Sequence, residues 1–271
     1  MNPIVIYHGP SEIDGSPIVV LATVSSKNRK TGTMIQTAIM RADMAPHDAK
    51  NNGHDVSICG LCPRRHFLGG DCYVLVQNAP LSTWRHWDRA GRPGENWADP
   101  ENIIRLYQDG KDSGLRLGYY GDPAAVPYTV WQDLIDAIQP KYVVGYTHQW
   151  RHLDRPVSHP TIENISQLTY RIKMLNWYRN NVMASCDSVN DAMEARQMGW
   201  RYFLAVPSKS NINLPERTIL CPATVSERTC STCGACSGAD RGSYKASIYV
   251  EEHGVRSMGK RKRSAMLAVV Q

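Results

Sequence analysis

Residues 115–138 read LRLGYYGDPAAVPYTVWQDLIDAI. The run from Leu115 to Tyr120 is short, bulky and flanked by glycine, which is the pattern of a strand. Gly121-Asp122-Pro123 marks a sharp turn. Val130, Leu134, Ile135 and Ile138 then gather on one side of an amphipathic helix, which Pro140 closes. The same unit repeats: KYVVGYTHQW (residues 141–150) reads as a strand, followed by a polar, His-rich loop and a helix over residues 161–176. A further strand spans residues 181–186, a helix opens at Asp187 or Ser188, and RYFLAV (residues 201–206) closes that unit. Strands alternating with helices indicate βαβ units and a parallel sheet. The expected fold is therefore α/β, a full or partial (β/α) barrel-like domain with cysteine-rich metal-binding loops.

Outward from this centre, residues 3–7 and 17–24 read as two strands joined by a turn at Asp14-Gly15. SSKNRKTGTM (residues 25–34) is a basic loop without a Walker A or GxGxxG pattern, so it reads as ordinary loop. A short helix starts at Pro46 and ends at Gly53. YVLVQNAP after Cys72 is strand-like, LSTWRHWDRAGR reads as a helix opened near Ser82, residues 91–100 form a Pro/Gly-rich connection and residues 101–109 look helical. TILCPA (residues 218–223) and KASIYVEE (residues 245–252) supply the last strands. The expected organisation is a barrel-like domain over residues 1–217, including a three-cysteine loop at residues 54–73. A four-cysteine segment at residues 218–254 packs on it, and a basic tail covers residues 255–271.

In barrels of this kind the chemistry sits where strands end. Those ends here carry Asp122, then His148 and Arg151 around Trp150, then Asp187. Asp122, His148 and Arg151 are the candidate catalytic residues. The plainer alternative is that Asp122 caps the Gly-Asp-Pro turn and Asp187 caps a helix. No Ser/His/Asp or paired-glutamate signature is present.

The cysteines fall into two groups. In CPATVSERTCSTCGACSG (residues 221–238), Cys230, Cys233 and Cys236 have C-x2-C-x2-C spacing, and Cys221 lies upstream beside Pro222. Thiolates this close can converge on one metal centre. The pattern is that of bacterial ferredoxins with the remote Cys-Pro moved to the other side, which favours a [4Fe–4S] cluster over a four-cysteine zinc site. In ICGLCPRRHFLGGDCY, Cys59, Cys62 and Cys72 form the second group. Three thiolates suit a cluster with one open iron; alternatively His66 completes a closed three-cysteine, one-histidine zinc site, with His54 a further candidate. One or two [4Fe–4S] clusters are thus expected, with zinc as the alternative. Cys186, in an apolar run, reads as a buried small hydrophobe.

The 271-residue chain is 42% hydrophobic, and no run reaches the roughly 18 apolar residues of a membrane span. The N-terminus lacks a signal-peptide pattern, so a cytoplasmic location with reduced thiols is expected. The eight cysteines are too sparse for a disulfide scaffold. The net charge of +6 owes much to Lys260, Arg261, Lys262 and Arg263, which either contact phosphate or form a solvated tail. Seven Trp and thirteen Tyr against two Phe suit wet surfaces, including ones that stack bases.

The segments TGTMIQTAIM, ICGLCPRRH with GGDCYV, LGYYGDPAAVPYTVW, GYTHQWR, MASCDSVNDAMEARQMGWRYF and TCSTCGACSG together resemble a family of uncharacterised bacteriophage-encoded cysteine-cluster proteins. The resemblance covers roughly residues 25–250 and extends to a His253-Gly254 ending. It implies a phage setting in the cytoplasm of an infected host, in which a nucleotide or nucleic acid is the natural substrate or partner. The layout is also similar to radical-SAM partial barrels, which implies S-adenosylmethionine (SAM) as a further cofactor. Those enzymes use C-x3-C-x2-C where this chain has C-x2-C-x9-C. Two functions follow as expectations. One is an iron–sulfur enzyme working at the three-cysteine site. The other is a zinc-stabilised nucleic-acid-binding protein without catalysis, in which Arg64, Arg65 and residues 260–263 contact phosphate.

Overall fold

In the computed structural model, residues 3–24, 30–153, 165–207, 213–239 and 246–251 are described. The basic run at residues 260–263, the His253-Gly254 pair and part of the basic loop at residues 25–34 lie outside them. In chain order the elements are β1 (Ile4–Pro10), β2 (Pro17–Thr23), β3 (Ile35–Arg41), α1 (Pro46–Asn51), α2 (Val56–Cys59), α3 (Ala79–Arg89), α4 (Pro100–Ser113), β4 (Leu115–Tyr120) and α5 (Tyr128–Ile138). They continue as β5 (Val143–Thr147), α6 (Trp150–Leu153), α7 (Ile165–Asn181), β6 (Met183–Cys186), α8 (Val189–Gln197), β7 (Tyr202–Val206), β8 (Thr218–Leu220), α9 (Pro222–Val225), α10 (Cys230–Cys233) and β9 (Ser247–Glu251).

The fold is mixed α/β. Nine strands form a sheet in the order β1-β2-β3-β4-β5-β6-β7-β9-β8. The β1–β2 and β2–β3 pairs are antiparallel, and every pair from β3–β4 onward is parallel. Successive strands from β3 to β7 lie side by side without a reversal of order. Among the described residues β1 and β8 are the edges and do not pair, so the ring of strands of a full barrel is not closed. β8 and β9 flank the four-cysteine stretch and extend the same sheet. No helix among the described residues is long and apolar enough to cross a membrane.

The central strands are buried on both faces, as a parallel sheet demands. Every residue of β3 is buried, including Gln36, Thr37 and Arg41. The unit at residues 115–138 forms as its sequence indicates. Trp131, Leu134 and Ile138 of α5 are fully buried, each worth about 1.5–3 kcal/mol relative to exposure. Gln139, with φ of 42°, and Pro140 end the helix. Trp131 Nε1 and Tyr178 Oη both donate to Pro123 O, at 3.0 Å each, tying α5 and α7 to the turn after β4. Gly121 has φ of 81°, and a Cβ there would lie 2.7 Å from Ile39 O; only glycine lets β4 turn so tightly against β3.

Two local expectations change. YVLVQNAP is not a strand: residues 71–75 have no regular structure, and α3 already starts at Ala79 with Pro80 in its first turn. The run reaches the sheet after β3, whose neighbours β2 and β4 occupy both edges, so no pairing partner remains. The helix expected at residues 161–176 is described over Ile165–Asn181.

Candidate functional site

The three-cysteine loop is fixed to the carboxyl ends of β3, β4 and β5 by buried polar contacts. Asp122 N–H donates to Ile58 O at 2.6 Å, and Gln149 Nε2 donates to Cys59 O at 3.0 Å. Arg41 Nη1 donates to Ser57 Oγ at 2.9 Å, while Ser57 Oγ donates to Asp14 at 2.7 Å. Within the loop, Arg65 is 7% exposed; it pairs with Asp55 at 2.7 Å and donates to Gly53 O and Gly60 O. Cys62 N–H donates to Cys59 O and Cys72 N–H to Arg64 O, so the chain folds back to bring the three thiols into one neighbourhood. Burial pushes the Cys59 thiol well up, and the adjacent Cys62 and Cys72 push it further. Its outer surface is apolar: Leu61, Phe67, Leu68, Tyr73 and Leu75 are exposed.

His148 is the side chain that meets this loop. Its Nε2 lies 3.1 Å from Asp187 Oδ2 and 3.9 Å from Cys62 Sγ. Asp187 is also bonded by Arg64, which pairs with Asp71 at 3.4 Å. Burial alone would pull the His148 pKa down, but the hydrogen bonds to Asp187 and Cys62 outweigh it and hold the imidazole up at about 10. Asp187 is held down to about 2 despite burial, by His148 and Arg64. The site is therefore an imidazolium–carboxylate–guanidinium chain ending at a thiol. Both the carboxylate and the thiol face the same ring nitrogen, which is not the arrangement of a nucleophilic triad.

Asp122 does cap its turn, accepting from Ala124 N–H at 3.0 Å, and its other oxygen accepts from His148 N–H at 2.8 Å. Burial raises its pKa against those bonds. Asp187 is not a helix cap; Ser188 takes that role for α8, accepting from Asp191 N–H at 3.1 Å. Arg151 is outside the site. It stacks on Trp150 at 3.9 Å and pairs with Asp191 and Glu194 of α8, at 2.6 Å each. His66 and His54 are exposed, so the imidazole beside the thiols belongs to His148. Arg64 supplies the guanidinium that sequence reasoning had given to Arg151; its place directly after Cys62-Pro63 was the available signal.

The four-cysteine segment docks at the opposite, amino ends of the strands. Cys230 and Cys236 pack on Met34, Tyr142 and Val144. Cys230 N–H donates to Lys30 O and Ser231 N–H to Thr31 O, and Tyr142 Oη bonds the carbonyls of Cys230 and Ser231. Arg201 grips the end of the segment through the carbonyls of Ala235, Ser237, Gly238 and Ala246. A Cβ on Gly238 would lie 2.2 Å from the Asn180 backbone, so glycine is required there. Burial raises the Cys236 thiol to about 12, with Cys230, Cys221 and Cys233 adding repulsion against a hydrogen bond to Tyr146.

All eight cysteines are free thiols, and each set has the donor chemistry of a thiolate metal centre. Among the described residues, no three His, Cys, Asp or Glu side chains stand at the spacing that holds a metal ion. The thiols are neighbours, not a closed shell. A polar group beside the three-cysteine set is left without a partner: Tyr120 Oη is buried and accepts or donates no hydrogen bond among the described residues. It sits close enough to Cys59 and Cys72 for their charge to raise its pKa further, burial being the main cause. A bound group carrying acceptor atoms at this set would meet that hydroxyl.

Compared with protein-family models, curated proteins and solved structures, the chain matches none.

Proposed function

We propose that this protein is a cysteine-ligated metalloenzyme, with an iron–sulfur centre at Cys59, Cys62 and Cys72 and a second thiolate centre at Cys221, Cys230, Cys233 and Cys236. The observation that carries the reading is the convergence of His148, Asp187 and Arg64 on Cys62 at the carboxyl ends of a parallel sheet. That is where α/β folds of this layout place their chemistry. The unbroken β3 to β7 order also supports a partial-barrel description, and the free thiols suit a reducing cytoplasm.

A cluster held by three thiolates supplies redox chemistry and one open iron position. Around it, His148 holds a proton at Nε2 that it can give to a substrate atom near Cys62. Asp187 and Arg64 keep that ring oriented, and Asp122 fixes its backbone. Gln149 holds the Cys59 end of the loop by donating to its carbonyl at 3.0 Å. We assign nucleotides or nucleic acid as the substrate class and SAM as the cofactor for the open position, on the phage-family and radical-SAM resemblances.

The test is electron paramagnetic resonance of anaerobically purified, dithionite-reduced protein, with and without SAM. A reduced-cluster signal that shifts on adding SAM and is missing from Cys72→Ala supports the reading; colourless protein carrying zinc overturns it. The second reading, a zinc-stabilised nucleic-acid-binding protein, is favoured by the exposed rings of Phe67 and Tyr73, which are placed to stack on bases. Against it, Arg64 and Arg65 are committed to ion pairs with Asp187, Asp71 and Asp55. Oligonucleotide binding that weakens steeply with salt would support that second reading.

A further inference from the structure

From β4 to β7 the two faces of the sheet carry different residues. Sequential strands joined by crossovers of one hand put α5, α7 and α8 on a single face. On that side the strands present Leu115, Leu117, Val143, Ala184 and Leu204, all buried and aliphatic. A Cβ on Gly145 would meet Leu117 at 3.2 Å and Val182, just past α7, at 2.9 Å. The same registers define the other face. Arg116 pairs with Val144, Tyr146 two residues on pairs with Met183, and Ser185 two residues beyond that pairs with Phe203. Burial here is only partial: Arg116, Tyr146, Ser185 and Phe203 are each half-buried.

This half-open face holds three kinds of group that a ligand can use. Arg41, Arg64, Arg65 and Arg201 are all bonded to carboxylates or carbonyls. Arg116 differs: its guanidinium makes no hydrogen bond or ion pair among the described residues, and none of its nitrogens is sealed from solvent. Such a group offers paired N–H donors to a phosphate. Tyr146 and Phe203 lean together over β6, with ring centroids 4.6 Å apart and planes at 49°. They form an aromatic surface on which a flat heterocycle can pack. The Ser185 hydroxyl, on the strand between them, is also unbonded among the described residues and reachable. Arg116 and Tyr146 lie two residues apart on neighbouring strands, so their Cα atoms are about 8 Å apart. One nucleotide bridges that separation with its phosphate at one end and its base at the other.

We propose that the helix-free face of β4 to β7 binds a nucleoside monophosphate, with Arg116 on the phosphate, Tyr146 and Phe203 against the base and Ser185 on the sugar. The inference rests on the nucleotide reading given above and adds the surface that holds the ligand. It needs neither cysteine set to carry a metal. It also accounts for an arginine in the middle of a central strand, where the helix side of the same strand is aliphatic.

The experiment is isothermal titration calorimetry of full-length protein with AMP, CMP, GMP and UMP, with the matching nucleosides and with inorganic phosphate. At least one monophosphate is expected to bind about 10-fold or more tightly than its nucleoside or free phosphate, because only it reaches both ends of the site. Arg116→Gln is expected to weaken that monophosphate by about 10-fold or more, the loss of a charge-assisted contact. Phe203→Leu should weaken it several-fold and leave inorganic phosphate unchanged. Arg85→Gln, at an exposed arginine on α3, should change nothing. Circular dichroism reports folding, and Phe203→Leu serves if the Arg116 variant does not fold. Wild-type monophosphate affinity in folded Arg116→Gln and Phe203→Leu would overturn this face as the site and leave the nucleotide reading standing. Inorganic phosphate binding as tightly as every monophosphate, or no monophosphate binding at all, would overturn both.

Discussion

His148 carries its proton between a carboxylate and a thiol, and this arrangement makes the site sensitive to pH from both sides. Asp187, held down to about 2, stabilises the fold fully above its unfolded value near 4 and loses that contribution as the pH falls toward 2. The shift corresponds to about 2 kcal/mol, of which roughly half is gone by pH 3. His148, raised to about 10, contributes fully below about 6.5 and loses its contribution as the pH rises through 10. Urea unfolding of wild type and Asp187→Asn is therefore expected to differ most near neutral pH and to converge on acidification. A difference that does not change between pH 6 and pH 3 would refute the ion pair. Arg151, by contrast, reaches from α6 to part-exposed ion pairs with Asp191 and Glu194 of α8, so Arg151→Ala should cost under about 1 kcal/mol and leave metal content unchanged. Loss of metal in that variant would return Arg151 to the site. At this scale the sequence showed which residues end the strands, but not where long side chains reach. Arg151 is three residues past His148 and turns to α8; Arg64, far away in sequence, folds over to Asp187.

The two cysteine elements are docked by different means. The three-cysteine loop is tied down by side chains from several strands, whereas the four-cysteine segment depends on Arg201 and on the absence of a side chain at Gly238. Replacing Gly238 by alanine forces a methyl into the Asn180 backbone and should cost about 1–3 kcal/mol. The expected readout is faster alkylation of Cys236 than in wild type, with Cys59 unaffected; equal Cys236 rates would show that the segment docks without this contact. The alternating pattern of residues 115–138 was legible because turn, helix stop and apolar face agreed with one another. YVLVQNAP was not, since its composition suits a strand and only the occupied edges of β3 deny it a partner. The C-x2-C-x2-C spacing was equally plain, while the contacts that seat it come from α7 (Asn180) and from the residues just before β5 and β7 (Tyr142, Arg201), distant in sequence, and leave no local signature.

Across the whole molecule, the two thiol sets lie at opposite ends of one parallel sheet. Tyr120 lies beside Cys59 and Cys72 at the carboxyl end of β4, whereas Lys30 and Thr31, just before β3, accept from the N–H groups of Cys230 and Ser231. Two centres, one for each cysteine set, are what the proposed function requires. Cys233→Ser should therefore remove metal from one centre only, and Cys186→Ser, at a buried thiol outside both sets, should remove none. Metal loss from Cys186→Ser would mean the ligand sets are wrongly drawn. The sequential strand order was foreseeable from repeated βαβ units, and the β1–β2 hairpin from the turn at Asp14-Gly15; the antiparallel pairing of β2 with β3 and the insertion of β9 between β7 and β8 were not, because strand pairing depends on contacts the local pattern does not encode. The most direct test is iron, zinc and acid-labile sulfide per chain in anaerobically purified protein. The account expects iron with sulfide, falling in part when either cysteine set is replaced by serine. Protein free of both metals, with every thiol reactive, would contradict it.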